Sequence, residues 1–272
     1  MNIMNTENNK DIFFPAGTAE VNIIPVMQGE EQMKVESGDL PDTLPILALR
    51  NAVLFPGMVY PVTIGRQKSI TLIKEAEKRD SFIGAVPQVD VTVEDPTEKD
   101  LYEYGTVSRV MKVLEMPDGT ITAIIQGVKR LRMDGVLSYE PYITARVKYI
   151  EDIIPENDNS TKMIAESLKE KAAVIIKSSS FAPKEAVGAL KSIDNYAFLV
   201  NFIATTVEIE NFMEKVQLLG IDDITVRAMK LLQVLDTQIQ LLKIKQEINQ
   251  KVKSDIESNV DDSMEKGKTA AK

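Results

Sequence analysis

The chain has 272 residues, 44% of them apolar, 6% aromatic and 27% charged, a globular composition long enough for one large domain or two ordinary ones. With 41 acidic against 32 basic residues its formal net charge is -9, which disfavours a nucleic-acid backbone as partner. It contains neither cysteine nor histidine, which excludes disulfides, thiolate metal sites, a cysteine nucleophile and the usual histidine base or ligand; carboxylate-only Mg²⁺ or Ca²⁺ sites stay open.

Residues 1 to 43 read as a flexible acidic arm. An Asn-rich start is followed by Phe13-Phe14, an apolar patch at Ile23, Ile24, Pro25, Val26 and Met27, and an acidic, turn-rich stretch. The start lacks a basic run followed by an apolar one, so it does not read as a secretory signal. No run approaches the roughly 18 apolar residues of a membrane span. With the absence of cysteine, these features fit a cytoplasmic protein.

Residues 44 to 154 read as mainly strand. LPILAL (44–49) precedes a turn at Phe55-Pro56-Gly57, and VYPVTIG (59–65) is a strand whose Pro61 points to an edge or bulge. A helix is expected over 66–79 and a strand over 82–87, followed by a polar connection at 90–100. Strands at 107–116 and 120–127 flank Pro117-Asp118-Gly119, the clearest hairpin signal of the chain. Further strands are expected at 128–137 and 142–150, the last with clean alternation of Ile143, Ala145, Val147 and Tyr149. Short turns and one early helix suggest a small, partly closed barrel-type sheet.

The period changes across PENDNS (155–160), and residues 160 to 221 read as a small helical bundle. Helices are expected over 161–177, from Pro183 to Lys191, over 195–207 and over 208–218, with Gly220 closing the last. A long helix follows, assigned to 222–260 and capped by Asp222 or Asp223. Its first half offers Met229, Leu232, Leu235, Ile239 and Leu242 for packing. Its second half steps by four through Ile244, Ile248, Val252, Ile256 and Val260, a stripe that winds around the helix. Such a helix packs at its root and projects; residues 261 to 272 read as disordered or artificial.

Chemistry-bearing patterns are absent: there is no Gly-rich phosphate loop, nucleophile elbow or calcium-loop spacing. Lys129, Arg130 and Arg132 form the densest basic cluster, read as a solvated strand edge balanced by Glu115 or Asp134. Glu94, Asp95, Glu98 and Asp100 read as a solvated loop rather than a metal site. The informative residues are Phe55, Met58, Val59 and Tyr60, which put large apolar side chains around a turn. Either they fold back into the sheet core, or they form an exposed apolar groove that accepts unfolded peptide. They are the candidate substrate-binding residues; no catalytic, cofactor-binding or metal residue is assigned.

LPILALRNAVLFPGMVYPVTIGR (44–66), YEYGTVSRVMKVLEMPDGTITAIIQGVKRLRM (102–133), EPYITARVKYIED (140–152) and the helical run from Phe212 to Lys266 resemble, in order, the N-terminal domain of Lon-type ATP-dependent proteases. The resemblance covers roughly residues 44 to 266. It implies an α+β chain: a PUA-like β domain, a helical subdomain and a long helix toward an ATPase module. It implies a cytosolic hexamer that recognises unfolded or damaged proteins and a parent serine endopeptidase that uses ATP and Mg²⁺. It also implies that the Ser-Lys dyad and ATPase loops lie downstream, so no catalytic residue carries over here and no cofactor is expected in this chain. The fragment alone is expected to be a monomer or dimer, with no membrane partner and DNA binding disfavoured. The acidic arm and the final GKTAAK do not match the family pattern, and a cut chain is the simplest reading. Rival readings are a stand-alone peptide- or protein-binding module built on the same β domain and, more weakly, a nucleic-acid binding module.

Overall fold

The computed structural model describes residues 40–155, 159–178, 185–207, 209 and 211–269, with side chains as far as Val252. The expectations for residues 1–39 of the arm and for residues 270–272 lie outside the described residues, whereas residues 261–269, expected to be disordered or artificial, continue the last helix. Strands β1 (Thr43–Leu49), β2 (Val59–Ile64), β3 (Phe82–Pro87), β4 (Tyr104–Glu115), β5 (Ile121–Ser138) and β6 (Thr144–Ile150) form one sheet, with helix α1 (Gln67–Arg79) between β2 and β3. β5, β4, β3, β1 and β6 pair in that order, and β6 returns to β5, closing a ring. β1 and β3 are parallel, with β2 and α1 as their crossover; the other pairings are antiparallel. In β1, Leu44 and Ile46 join one apolar cluster while Leu47 and Leu49 join another. Burial on both faces is why this strand reads as an apolar run rather than an alternation.

β2 pairs with β5 alone and stands at the sheet edge. The Gly127 N–H donates to the Met58 carbonyl at 2.9 Å. Counting on from that hydrogen-bonded pair, Tyr60, Val62 and Ile64 turn their backbone groups toward β5, and Val59, Pro61 and Thr63 turn theirs outward. Pro61 therefore has its missing donor on the open side.

One sequence expectation is corrected here. Residues 120–127 and 128–137 are a single strand, not two. Gly127 is not a break: a side chain there would meet the Phe55 carbonyl oxygen at 2.5 Å, and the ladder to β4 bulges past Val128 and continues. The hairpin turn is as expected, with Gly119 at φ +83 and its N–H donating to the Met116 carbonyl at 2.9 Å.

The helices are α2 (Asn159–Ser178), α3 (Glu185–Lys191), α4 (Tyr196–Thr206), α5 (Phe212–Gly220) and α6 (Ile224–Thr269). α4 is apolar on nearly all sides and is buried accordingly, with Asn195 capping it through Phe198 N–H at 2.9 Å. The helix expected over 208–218 starts only at Phe212, because Asn211 takes the cap, accepting from the Met213 N–H at 3.2 Å. Asp223 caps α6, accepting from Thr225 and Val226 N–H at 2.7 and 3.0 Å. The buried stripe of α6 is Ile224, Arg227, Ala228, Leu231, Val234, Leu235 and Gln238. Met229, expected in that stripe, is exposed: the true stripe includes a buried arginine, which an apolar count passes over. Past Gln238 no described side chain of α6 is buried.

Ile153 forms a parallel bridge with Asp223, so the chain sets out toward α2 from beside the start of α6. Lys171 and Asp236 are ion-paired further along. The six steps from Ile153 to Asn159 reach at most about 21 Å, too little for an antiparallel arrangement with that ion pair; α2 therefore runs parallel to α6. Strand gives way to helix between Ile150 and Asn159, but the core does not divide there. One apolar cluster contains Phe55 and Met58 from the sheet and Leu168, Phe202, Leu219 and Leu231 from the helices.

Candidate functional site

The Phe55–Tyr60 turn lies inside this shared core. Phe55 and Met58 have no exposed surface and Val59 is 7% exposed; Tyr60 is half-buried and packs against the same cluster. Polar anchors hold the turn down. Thr106 Oγ1 donates to the Leu54 carbonyl at 2.6 Å, and Asn201 Nδ2, on α4, donates to the Pro56 carbonyl at 3.2 Å. Of the two sequence readings the structure places Phe55, Met58 and Val59 in the core. The exposed apolar groove is not formed by them, because the helices close over the turn. Burial raises the Tyr60 hydroxyl above its ordinary pKa.

The basic cluster is also corrected. Arg130 is 1% exposed. Its Nε and Nη2 donate to Asp152 Oδ1 at 3.1 and 2.6 Å, and its Nη1 donates to the Leu219 and Ile221 carbonyls at 2.5 and 2.9 Å. Arg227, fully buried on α6, reaches the same Asp152 oxygen at 2.7 Å and also donates to the Ile221 carbonyl and Asn201 Oδ1. Two guanidinium groups thus share one carboxylate where sheet, α5 and α6 meet. Burial first, then the Arg227 charge, lower the Arg130 pKa to about 10, with Asp152 opposing. Its neighbours take separate partners: Lys129 with Glu151 and Arg132 with Glu103, rather than Glu115 or Asp134. Asp134 pairs with Lys148 at 3.0 Å. Nothing in the sequence places Asp152 and Arg227 beside Arg130, since the three are joined only by the tertiary fold.

The acidic connection is a set of surface contacts. Glu94 pairs with Arg50 at 2.8 Å and Asp95 with Lys68 at 3.2 Å, while Asp100 accepts from Thr97 N–H and Oγ1. Among the described residues no group of acidic side chains is arranged to hold a metal ion. A cleft of about 280 Å³ opens where this connection meets α1, floored by Ile46, Ala48, Leu72 and Ile143 and rimmed by these paired charges. No described helix is long and apolar enough to cross a membrane.

Exposed large apolar side chains are spread over the described surface, among them Val89, Leu137, Val174 and Met213. Ile153, Ile154, Met163, Val226 and Met229 are each about half exposed or more, with Ile154 at 71% and Met163 at 74%. All lie at or near the start of α2 or of α6. Met163 and Met229 each stand about two turns before the Lys171–Asp236 ion pair on their own helix, Met163 on the side of α2 away from its buried residues. A second group, Ile244, Ile248 and Val252, follows along α6.

The model of the ATP-dependent protease La (LON) substrate-binding domain matches residues 43–237, from the first strand into α6. The chain is 41% identical over 240 residues to the Lon protease of Flavobacterium johnsoniae, covering 88% of this chain and 29% of that protein. It is 39% identical over 241 residues to the Lon protease of Cytophaga hutchinsonii, covering 88% and 30%. The chain therefore spans less than a third of these relatives' length. Among solved structures, the N-terminal domain of the Mycobacterium avium complex Lon protease aligns at a TM-score of 0.57 and 16% identity, over 71% of this chain and 98% of that one. The Lon N-terminal domain protein from Xanthomonas campestris aligns at 0.53 and 18%, over 70% and 97%. At those identities the two structures support the fold alone.

Proposed function

We propose that this chain, which belongs to the family of the ATP-dependent protease La (LON) substrate-binding domain, binds unfolded or damaged proteins for a larger Lon-type protease. The match over 43–237 carries the reading, because it takes in both the sheet and the helices and with them the shared core. The β body is read as PUA-like and α6 as the projecting connection to an ATPase module. The parent enzyme, on this reading, is a cytoplasmic hexameric serine protease that uses ATP and Mg²⁺.

The chemistry of this chain suits recognition. Arg130, Asp152 and Arg227 satisfy one another inside, and exposed apolar side chains are available to an extended peptide. Each such contact contributes only a few kcal/mol, so a client is released readily, and several copies held together raise the avidity. Crosslinking to unfolded casein, with sites mapped by mass spectrometry, tests the reading. We expect crosslinks at exposed apolar positions of the sheet and helices. Labelling no stronger than with a folded control protein would overturn it.

A further inference from the structure

We propose that the cleft between α1 and the connection at 90–100 holds one large apolar side chain, of phenylalanine or leucine size, carried on an extended segment of an unfolded protein. This rests on the substrate-binding reading and gives it a place. The floor follows from sheet geometry. Ile46 and Ala48 stand two residues apart on β1 and so share a face. The Ile46 N–H donates to the Ile143 carbonyl at 2.8 Å, which brings Ile143 beside them. Leu72 of α1 completes the floor. Ile46 and Ile143 belong to one apolar cluster and Leu72 to the other, so the cleft touches both cores. Its volume is about 280 Å³. Ligand pockets usually begin at roughly 300 Å³, so this one suits a single side chain rather than a whole cofactor.

The rim sets the charge of the occupant. Arg50, Arg66 and Lys68 stand against Glu94, Asp95 and Glu140, and each is already engaged. Arg50 pairs with Glu94 at 2.8 Å, and Lys68 with Asp95 at 3.2 Å and Glu140 at 2.8 Å. Arg66 Nη2 donates to Gln88 Oε1 and the Val93 carbonyl at 2.6 and 2.9 Å. A charged group entering here displaces one of these partners and leaves it unpaired, whereas a neutral group does not. With no surplus of either sign, the rim favours an uncharged occupant.

The wall also carries an unmet donor. Arg66 Nε is buried and makes no hydrogen bond among the described residues; Glu94 Oε2, 4.0 Å away, is beyond hydrogen-bonding reach. Buried polar groups are nearly always satisfied, and a peptide carbonyl supplies the acceptor this wall lacks. Glu94 is exposed and its pair with Arg50 faces solvent, so the carboxylate swings aside at little cost to admit it. A plain hydrocarbon brings no such acceptor; a side chain on a peptide does. Tyr139, exposed at the mouth with its carbonyl accepting from Lys68 Nζ at 3.3 Å, gives the flanking residues an aromatic surface to lie on.

The test uses the whole chain with methyl-labelled isoleucine, followed by NMR, and acetylated, amidated peptides Gly-Ser-Gly-X-Gly-Ser-Gly in which X is Phe, Leu, Ala, Asp or Lys. The Phe and Leu peptides should shift the Ile46 and Ile143 methyls and leave those of Ile175 and Ile203, in the helical part of the core, in place. They should bind at least about tenfold more tightly than the Ala peptide, and the Asp and Lys peptides should shift neither methyl. Ala48→Met, which fills the cleft with an adaptable side chain, should abolish the peptide-induced shifts at an unchanged melting temperature; should that variant not fold, the titration of the unaltered chain decides. Equal affinity for the Phe and Ala peptides would overturn the proposal, as would shifts confined to isoleucines away from the cleft. Shifts of Ile46 and Ile143 that follow protein concentration without peptide would also overturn it, by making a second copy the occupant. Casein crosslinks that persist without cleft shifts would remove this site alone, whereas loss of both would remove the substrate-binding reading with it.

Discussion

Replacing Asp152 by asparagine keeps its shape and removes its charge, leaving Arg130 and Arg227 buried together with only neutral acceptors. Breaking a buried ion pair by removing one partner costs about 3–5 kcal/mol. Here the carboxylate is 26% exposed and the carbonyls of Leu219 and Ile221 go on accepting from the guanidinium groups. The expected loss is therefore nearer about 2–3 kcal/mol. For a protein of this size that lowers the melting temperature by about 4–12 °C. Arg132→Ala is the control: it lies two residues from Arg130 but pairs with Glu103 in solvent, and an exposed pair contributes about 0–1 kcal/mol. Urea unfolding followed by circular dichroism measures both. A loss below about 1 kcal/mol for Asp152→Asn, or an equal loss for the two variants, would refute the argument that this shared carboxylate joins sheet to helices.

Met58→Ala removes a fully buried side chain from the shared core and should cost about 2–4 kcal/mol while leaving client binding per folded molecule unchanged. Tyr60→Ser, at a half-buried position, should cost less; denaturation and casein binding on the same samples check both, and a Met58→Ala protein as stable as the parent would contradict the burial. Stability should also fall as pH rises above 10. Burial first, then Asp42 and Asp223 respectively, push the Tyr149 and Tyr196 hydroxyls up to about 12 from an ordinary 10.0. The unfolded chain releases these protons earlier than the folded one, so their contribution is complete below pH 10 and is lost as the pH climbs to 12. The lowered pKa of Arg130 and Arg66 acts in the opposite sense, against the raised hydroxyls of Tyr149, Tyr196, Tyr60 and Tyr142. Urea midpoints at pH 9 and 11 should show the decline, and Tyr149→Phe should flatten it.

Local signals carried the elements well and the assembly poorly. Alternation, the PDG turn and the single proline of β2 depend on residues a few positions apart, and they located the sheet, its hairpin and its edge strand. The Phe55–Tyr60 turn left two readings open because burial depends on what covers it, and α4 lies some 145 positions away. Arg130 read as a surface cation for the same reason: Asp152 and Arg227 are distant in sequence. Of the expected α6 stripe, Leu232, Leu235, Ile239 and Leu242 pack on the core and only Met229 does not, while Arg227 and Gln238 fill core positions that the apolar pattern passed over. An apolar pattern registers hydrophobic side chains, whereas burial also admits polar ones whose hydrogen bonds are met inside.

Pro61 bears on what many copies of this domain can do side by side. An exposed strand is a ladder with open rungs, and a neighbour's strand can climb onto it. At Pro61 the outward rung has no donor, so a second strand laid against β2 finds its hydrogen bonding interrupted at mid-length. An edge whose ladder breaks at mid-length is a poor template for a second extended chain, so β2 ends the sheet without inviting its extension.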